Sequence, residues 1–189
     1  MNAFFRLAVW CGVLAGACIG LPGAVEAFTG ETAVTSLVLG VSPALALPLL
    51  VVLQLRQSDA AGTFGAVGYT LNLVGLGLFG GAAFSLNLVL FGVDQPVLDE
   101  LLAGSTRIAL LGSALVFAVG AVLFGVAMVR ARIHPRVAAV AYAISLPALA
   151  LAAPLPDSLL TSAVHVVAGA SVTWLAVSAG GRVPALSAA

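Results

Sequence analysis

The sequence predicts an all-α fold: a polytopic integral membrane bundle of six transmembrane helices. Three observations carry the prediction. The 189-residue chain is 62% hydrophobic and only 7% charged, with a mean hydropathy of +1.20. A soluble domain of this length needs several times that charge to cover its surface. Apolar stretches of ~20 residues recur, each long enough to cross a hydrocarbon core of ~30 Å. Finally, all seven basic residues are arginines, and they alternate along the chain with the acids. Arg6, Arg56, Arg130, Arg132, Arg136 and Arg182 fall at every second boundary between apolar runs. Glu26, Glu31, Asp94, Asp99, Glu100 and Asp157 fall at the alternate boundaries. Basic loops remain in the cytoplasm, so both termini are expected there and the number of spans is expected to be even. Arg107 is the exception, an outer-end arginine with Asp99 and Glu100 upstream, placed to snorkel to the interface.

The spans are read at about 7–27, 33–55, 61–80 or longer, 108–129, 137–153 and 159–179. The loops between them are short, which makes sequence neighbours antiparallel. The spans use up the chain, so residues 1–189 form one transmembrane domain. Zero net charge gives no reason to expect nucleic acid as a partner. The expected partners are the lipid bilayer and either a second copy or a membrane partner subunit. Absence of lysine beside abundant Ala, Gly, Val and Leu suggests a GC-rich bacterial genome, and hence a plasma membrane.

Span 1 carries Gly12, Gly16 and Gly20, a stripe suited to close helix packing. Its rival reading is a cleaved signal peptide, with Arg6, an apolar core and Val25-Glu26-Ala27 as the cleavage region. Cys11 and Cys18 lie about two helical turns apart, ~10 Å, too far for a disulfide. A lipoprotein cleavage box before Cys18 has its leucine one position too far away. Span 2 is interrupted by Pro43 and Pro48, span 5 by Pro147. Each proline frees a carbonyl of the preceding turn. That carbonyl is satisfied by Ser42, Ser145 or water, or it binds a cation or substrate.

The stretch 61–91 is too long for a simple span, so a tilt or a bend at Gly80-Gly81 is expected. Pro96 then opens a brief amphipathic helix at 97–102, lying on the outer surface. Ser42-Pro43-Ala44-Leu45-Ala46-Leu47 echoes Ser145-Leu146-Pro147-Ala148-Leu149-Ala150-Leu151, and Arg6-Leu7-Ala8 echoes Arg107-Ile108-Ala109. The echo reads either as two inverted three-helix halves, an arrangement common in transporters, or as chance matching of Ala/Leu-rich segments.

The candidate ligand-binding residues are His165, Ser162, Thr161, Asn72, Asn87 and Tyr69. His165 is the one ionisable group well inside a span, and Ser158, Thr161, Ser162, Gly169 and Thr173 share its helix face. Such a stripe either lines a cavity or makes interhelical hydrogen bonds. In span 3, Gly65, Gly68, Asn72 and Gly75 share a face, beside Tyr69. Glycines admit a neighbouring helix and asparagine bonds across the contact, so packing alone accounts for that face. Asn87 is expected at a depth similar to His165. The acids are all read as boundary residues, too shallow to couple an ion gradient.

No metal or cofactor is expected, and two histidines in total make bis-histidine haem improbable. No Ser-His-Asp, HExxH, GxGxxG or P-loop pattern is present, so the chain is expected not to be an enzyme. Three functions compete. The first is a small carrier, permease or transport-complex subunit for a neutral or apolar solute. The second is an accessory subunit that packs through glycine-rich faces. The third and weakest is an intramembrane enzyme using His165.

Overall fold

The computed structural model describes residues 3–153, 155 and 158–181, and among these it is entirely helical. Helix α1 spans Ala3–Thr29 and α2 spans Ala33–Phe84, running into a π-helical turn at Ser85–Val89. A short α3 (Gln95–Leu101) precedes α4 (Gly104–Ala131), α5 (Arg136–Ala152) and α6 (Leu159–Gly180). Four segments are long and apolar enough to cross a membrane: α1, α2 with its π turn, α4 and α6. Helix α5 has 17 residues, about 25 Å at 1.5 Å per residue. Large apolar side chains face outward, among them Trp10, Leu14, Leu21, Ile108, Leu111 and Leu115, while Ser36, Gln57, Asn72 and Ser171 are buried. A surface this apolar around a polar-containing interior suits lipid rather than water.

A straight helix of 52 residues would reach about 78 Å, well beyond a bilayer core. Gly62 resolves this. Its backbone (φ 55°, ψ −151°) interrupts the helix in a region essentially reserved for glycine. The chain reverses there, and the second limb (63–84) packs back on the first (33–61). A Cβ at Gly80 would lie 3.0 Å from Pro43 Cβ, and one at Gly40 would meet Leu88 and stand 3.1 Å from Asn87 Cβ. The two limbs are the second and third apolar runs of the sequence. The expected loop between them is helical except at Gly62, and the expected bend at Gly80-Gly81 is absent, the helix continuing to Phe84. Gly80 instead admits Pro43.

The ends of these helices have local causes. Reciprocal capping boxes start α2 (Thr32 with Thr35) and α6 (Ser158 with Thr161). Pro96 sits in the first turn of α3, where its missing N–H costs nothing. Arg132, left-handed at φ 57°, ends α4. Within α2, Ser42 Oγ donates to Leu39 O at 2.8 Å. Leu39 O is the carbonyl that Pro43 leaves without a helical donor. In α5, Ser145 donates to Ala141 O at 2.7 Å, not to Ala143, whose carbonyl Pro147 frees.

Two small-residue helix pairs dominate the packing, and both are antiparallel. On α1, Gly12 faces Ala176, Gly16 faces Thr173, Gly20 faces Gly169 and Gly23 faces His165 of α6. On the second limb of α2, Gly68 faces Leu123 and Phe124, Asn72 faces Gly120, and Gly75 faces Phe117 of α4. The α6 row Gly169, Thr173, Ala176 therefore has the same four-then-three spacing as the row Gly68, Asn72, Gly75. In each row the middle, polar residue sits on a glycine of the partner helix. Gly125 against Ala143 joins α4 to α5, and Gly12 against Leu49 joins α1 to α2.

These pairings set the two ends of the bundle. Val9 approaches Gly180, Arg56 reaches the end of α6, His134 reaches Leu53, and the Arg130 guanidinium lies 5.0 Å over the Phe64 ring. Arg6, Arg56, Arg130, Arg132 and Arg136 thus gather at one end, with Asp59 beside Ser58 there. Glu31, Asp94, Asp99, Glu100 and Arg107 belong to the other. Arg182 and Asp157 lie outside the described residues. Glu26 lies in the last turn of α1, which runs on to Thr29, and is only 8% exposed.

Candidate functional site

The most buried polar contact between distant segments joins Asn72 to Tyr142. Asn72 Nδ2 donates to the Tyr142 hydroxyl at 2.6 Å. The amide is fully buried, and its Oδ1 has no hydrogen-bond partner among the described residues. Both residues are placed by small neighbours. A Cβ at Gly120 would lie 2.5 Å from the Asn72 backbone, so glycine there lets α4 press onto the helix bearing the amide. Ala138, Ala139, Tyr142 and Ser145 form the buried face of α5 at three- and four-residue spacing. Around the pair stand Phe124, 6.3 Å from the Tyr142 ring and 6.1 Å from the Tyr69 ring. The result is one unspent hydrogen-bond acceptor among aromatic walls. Burial of such an acceptor costs roughly 1–3 kcal/mol, and a native structure that carries it needs a reason.

The other residues singled out from the sequence are not brought to this place. His165, Thr161 and Ser162 lie on α6 against α1. His165 Nδ1 is 2.8 Å from Thr161 O, and since a carbonyl only accepts, Nδ1 donates. Gly23 seats the His165 side chain, and Thr161 Oγ1 is spent on the α6 cap, donating to Ser158 O at 2.9 Å. Asn87 donates to Ala83 O at 2.9 Å and packs on Gly40. No hydrogen bond joins it to His165 among the described residues. Tyr69 alone shares the neighbourhood of Asn72.

A second polar group closes the arginine end. Arg56 Nη1 donates to Ala179 O at 2.6 Å and to Ser178 O at 3.2 Å, and Nη2 donates to Gly181 O at 2.9 Å. Ser178 and Ala179 lie in the last turn of α6, where carbonyls run short of helical donors and carry the negative end of the helix dipole, and Gly181 follows it; Ser178 O also accepts the Gly181 N–H at 3.3 Å. His134 Nε2 donates to Leu53 O at 3.2 Å from a ring only 5% exposed. Burial pushes the His134 pKa below its ordinary value. The hydrogen bond to Leu53 opposes that shift, and the nearby Arg56 charge adds to it. Gln57 is fully buried; its Nε2 donates to Gln54 Oε1 at 3.3 Å while its own Oε1 has no partner among the described residues.

Two grooves indent the surface. One, about 260 Å³, lies between the limbs of α2, walled by Pro43, Leu47, Gly77, Gly80 and Phe84 among others. The other, about 250 Å³, lies between α4 and α5, with Val126, Arg130 and Ile144 among its walls. Neither is lined by His165 or Asn72. Of the candidate ligand-binding residues singled out in the sequence, Asn72 and Tyr69 lie at the Tyr142 contact; Tyr142, Gln57, Arg56 and His134 were not among those singled out. Tyr142 had a signal in its spacing from Ala138 and Ser145. Arg56 and His134 had none, because their partners are backbone carbonyls of distant segments, and Gln57 had none, because its burial comes from the packing of distant helices around it. No family model matches the chain, and no curated protein or solved structure is detectably similar to it.

Proposed function

We propose that the chain is a six-span plasma-membrane protein with both termini in the cytoplasm. It is built from two inverted halves, 3–89 and 104–180, and acts as a carrier, or as the transport subunit of a complex, for a small neutral solute. The arginine-rich end supports the orientation. The matched rows Gly68, Asn72, Gly75 and Gly169, Thr173, Ala176 support the two halves. Each row belongs to the last helix of one half and packs on the first helix of the other, as an inverted repeat requires.

The observation that carries the transport reading is the Asn72–Tyr142 contact. It bridges the two halves, and it leaves Asn72 Oδ1 buried and unspent. Asn72 is ten residues beyond Gly62, about 15 Å along the helix, and so well within the bilayer. A buried acceptor between two movable halves suits a neutral solute with a hydrogen-bond donor, such as an alcohol or an amide. Stopped-flow swelling of proteoliposomes with glycerol, urea and acetamide tests this. Flux above that of empty liposomes, lost in Asn72→Leu, is expected. A wild-type protein that passes none of the three faster than empty liposomes counts against a carrier.

The second reading is an accessory subunit. Its specific support is Gly77 and Gly81, exposed and four residues apart, with nothing within 4 Å of either Cβ position. Two such glycines let another helix approach closely.

A further inference from the structure

We propose that Arg56 and His134 form a latch that holds the two halves together at the arginine-rich end, so that this structure is the state closed on that side. The inference rests on the two-halves carrier reading and adds the element that gates it.

Both contacts cross between the halves. Arg56 belongs to the first limb of α2 and grips the last carbonyls of α6. His134 lies in the turn between α4 and α5 and grips Leu53 of that same limb. One short stretch, 53–57, therefore holds α6 on one side and the α4–α5 turn on the other. Neither contact depends on the acceptor's side chain. Each captures a main-chain carbonyl, and in α6 the carbonyls are in the last turn, where helical donors run out. The contacts are polar, the Arg56 bond to Gly181 O is exposed, and opening this end admits water to the rest, so breaking them exchanges protein partners for solvent.

Gln57 supplies the opposing tendency. Its side chain is fully buried at the latch, and Oε1 has no partner among the described residues. Opening this end brings water to that acceptor and removes a standing penalty of the closed state. The glycine-lined pairs α1–α6 and α2–α4 lie between the same halves. Flat small-residue contacts permit the sliding and rocking that alternating access needs, without withdrawing interlocked side chains. A closed latch with an unspent amide beside it is thus poised between two arrangements.

The test measures distances between spin labels in reconstituted full-length protein with Cys11 and Cys18 replaced by alanine. Two label pairs span the latch at exposed sites: Ser58→Cys with Gly181→Cys, and Ser58→Cys with Arg136→Cys. A third pair, Phe28→Cys with Leu159→Cys, spans the opposite end. With Arg56→Gln and His134→Leu together, both latch pairs should gain a population longer by about 5 Å or more, the scale of a one-turn displacement. The opposite pair should keep its distance. Lengthening of the Gly181 pair alone would mean that the end of α6 has frayed, and would overturn the latch. So would lengthening of all three pairs, which signals a loosened bundle, and so would no change. Solute flux is read separately. A latch that opens in a protein without flux removes the carrier and leaves the latch standing.

Discussion

Asn72 and Tyr142, 70 positions apart in sequence, meet at 2.6 Å and tie the second limb of α2 to α5. The bond lies among Tyr69 and Phe124, where water does not compete for it. Removing one partner there costs more than removing both.

Tyr142→Phe should therefore lower stability by roughly 1–3 kcal/mol, because Asn72 then loses its donor's acceptor as well. Asn72→Leu with Tyr142→Phe should cost less than the sum of the single changes. Denaturation in detergent, read as a double-mutant cycle, measures the coupling. Additive single changes would show that the bond does not hold the helices.

Glycines that admit a neighbour should differ sharply from glycines that do not. A Cβ at Gly68 would lie 3.0 Å from the backbone of Leu123 and Phe124, whereas nothing stands within 4 Å at Gly112. Gly68→Leu should destabilise by about 1–3 kcal/mol through overpacking. Gly112→Ala should be neutral or stabilising by up to about 1 kcal/mol, from helix propensity alone. Thermal unfolding of the two variants side by side is the measurement.

Gly62→Ala addresses the hairpin of α2. A residue with a Cβ is strained by about 1–3 kcal/mol at this backbone conformation. There is open space around the position, so any loss comes from backbone strain and not from a clash. A variant as stable as the parent would show that the reversal does not need this conformation.

His134 makes stability depend on pH. Its pKa in the folded protein lies below the ordinary value of 6.5, first because of burial. The unfolded chain then binds the proton more readily, so stability rises with pH through this region. The contribution is intact above about pH 6.5 and is lost as pH falls below it. The same loss should loosen the latch, since an imidazolium there would face the Arg56 charge. His134→Gln should flatten the pH dependence of unfolding between roughly pH 5 and 7.

Topology has its own test. A reporter active only in the cytoplasm, fused at the C-terminus, should give signal. Signal from a reporter active only outside would reverse the orientation. N-terminal sequencing of the mature protein separates a retained first helix from a cleaved one.

What the sequence determined by itself was the helical class, the placement of the apolar runs and the faces on which they pack. Those follow from local chemistry. Lipid rejects charge wherever it falls, and a row such as Gly65, Gly68, Asn72 and Gly75 marks a contact face whatever lies opposite. The partner of each face was decided only in the tertiary structure. Nothing near Asn72 in sequence names Tyr142, because the two meet only through the packing of separate helices, and nothing near Arg56 names Ala179, because a bond to a distant backbone carbonyl leaves no pattern in side-chain identity. The same holds for the turn at Gly62. The sequence offers glycines at 62, 77, 80 and 81. Only the packing of Pro43 on Gly80 shows which glycine bends the chain and which admits a neighbour.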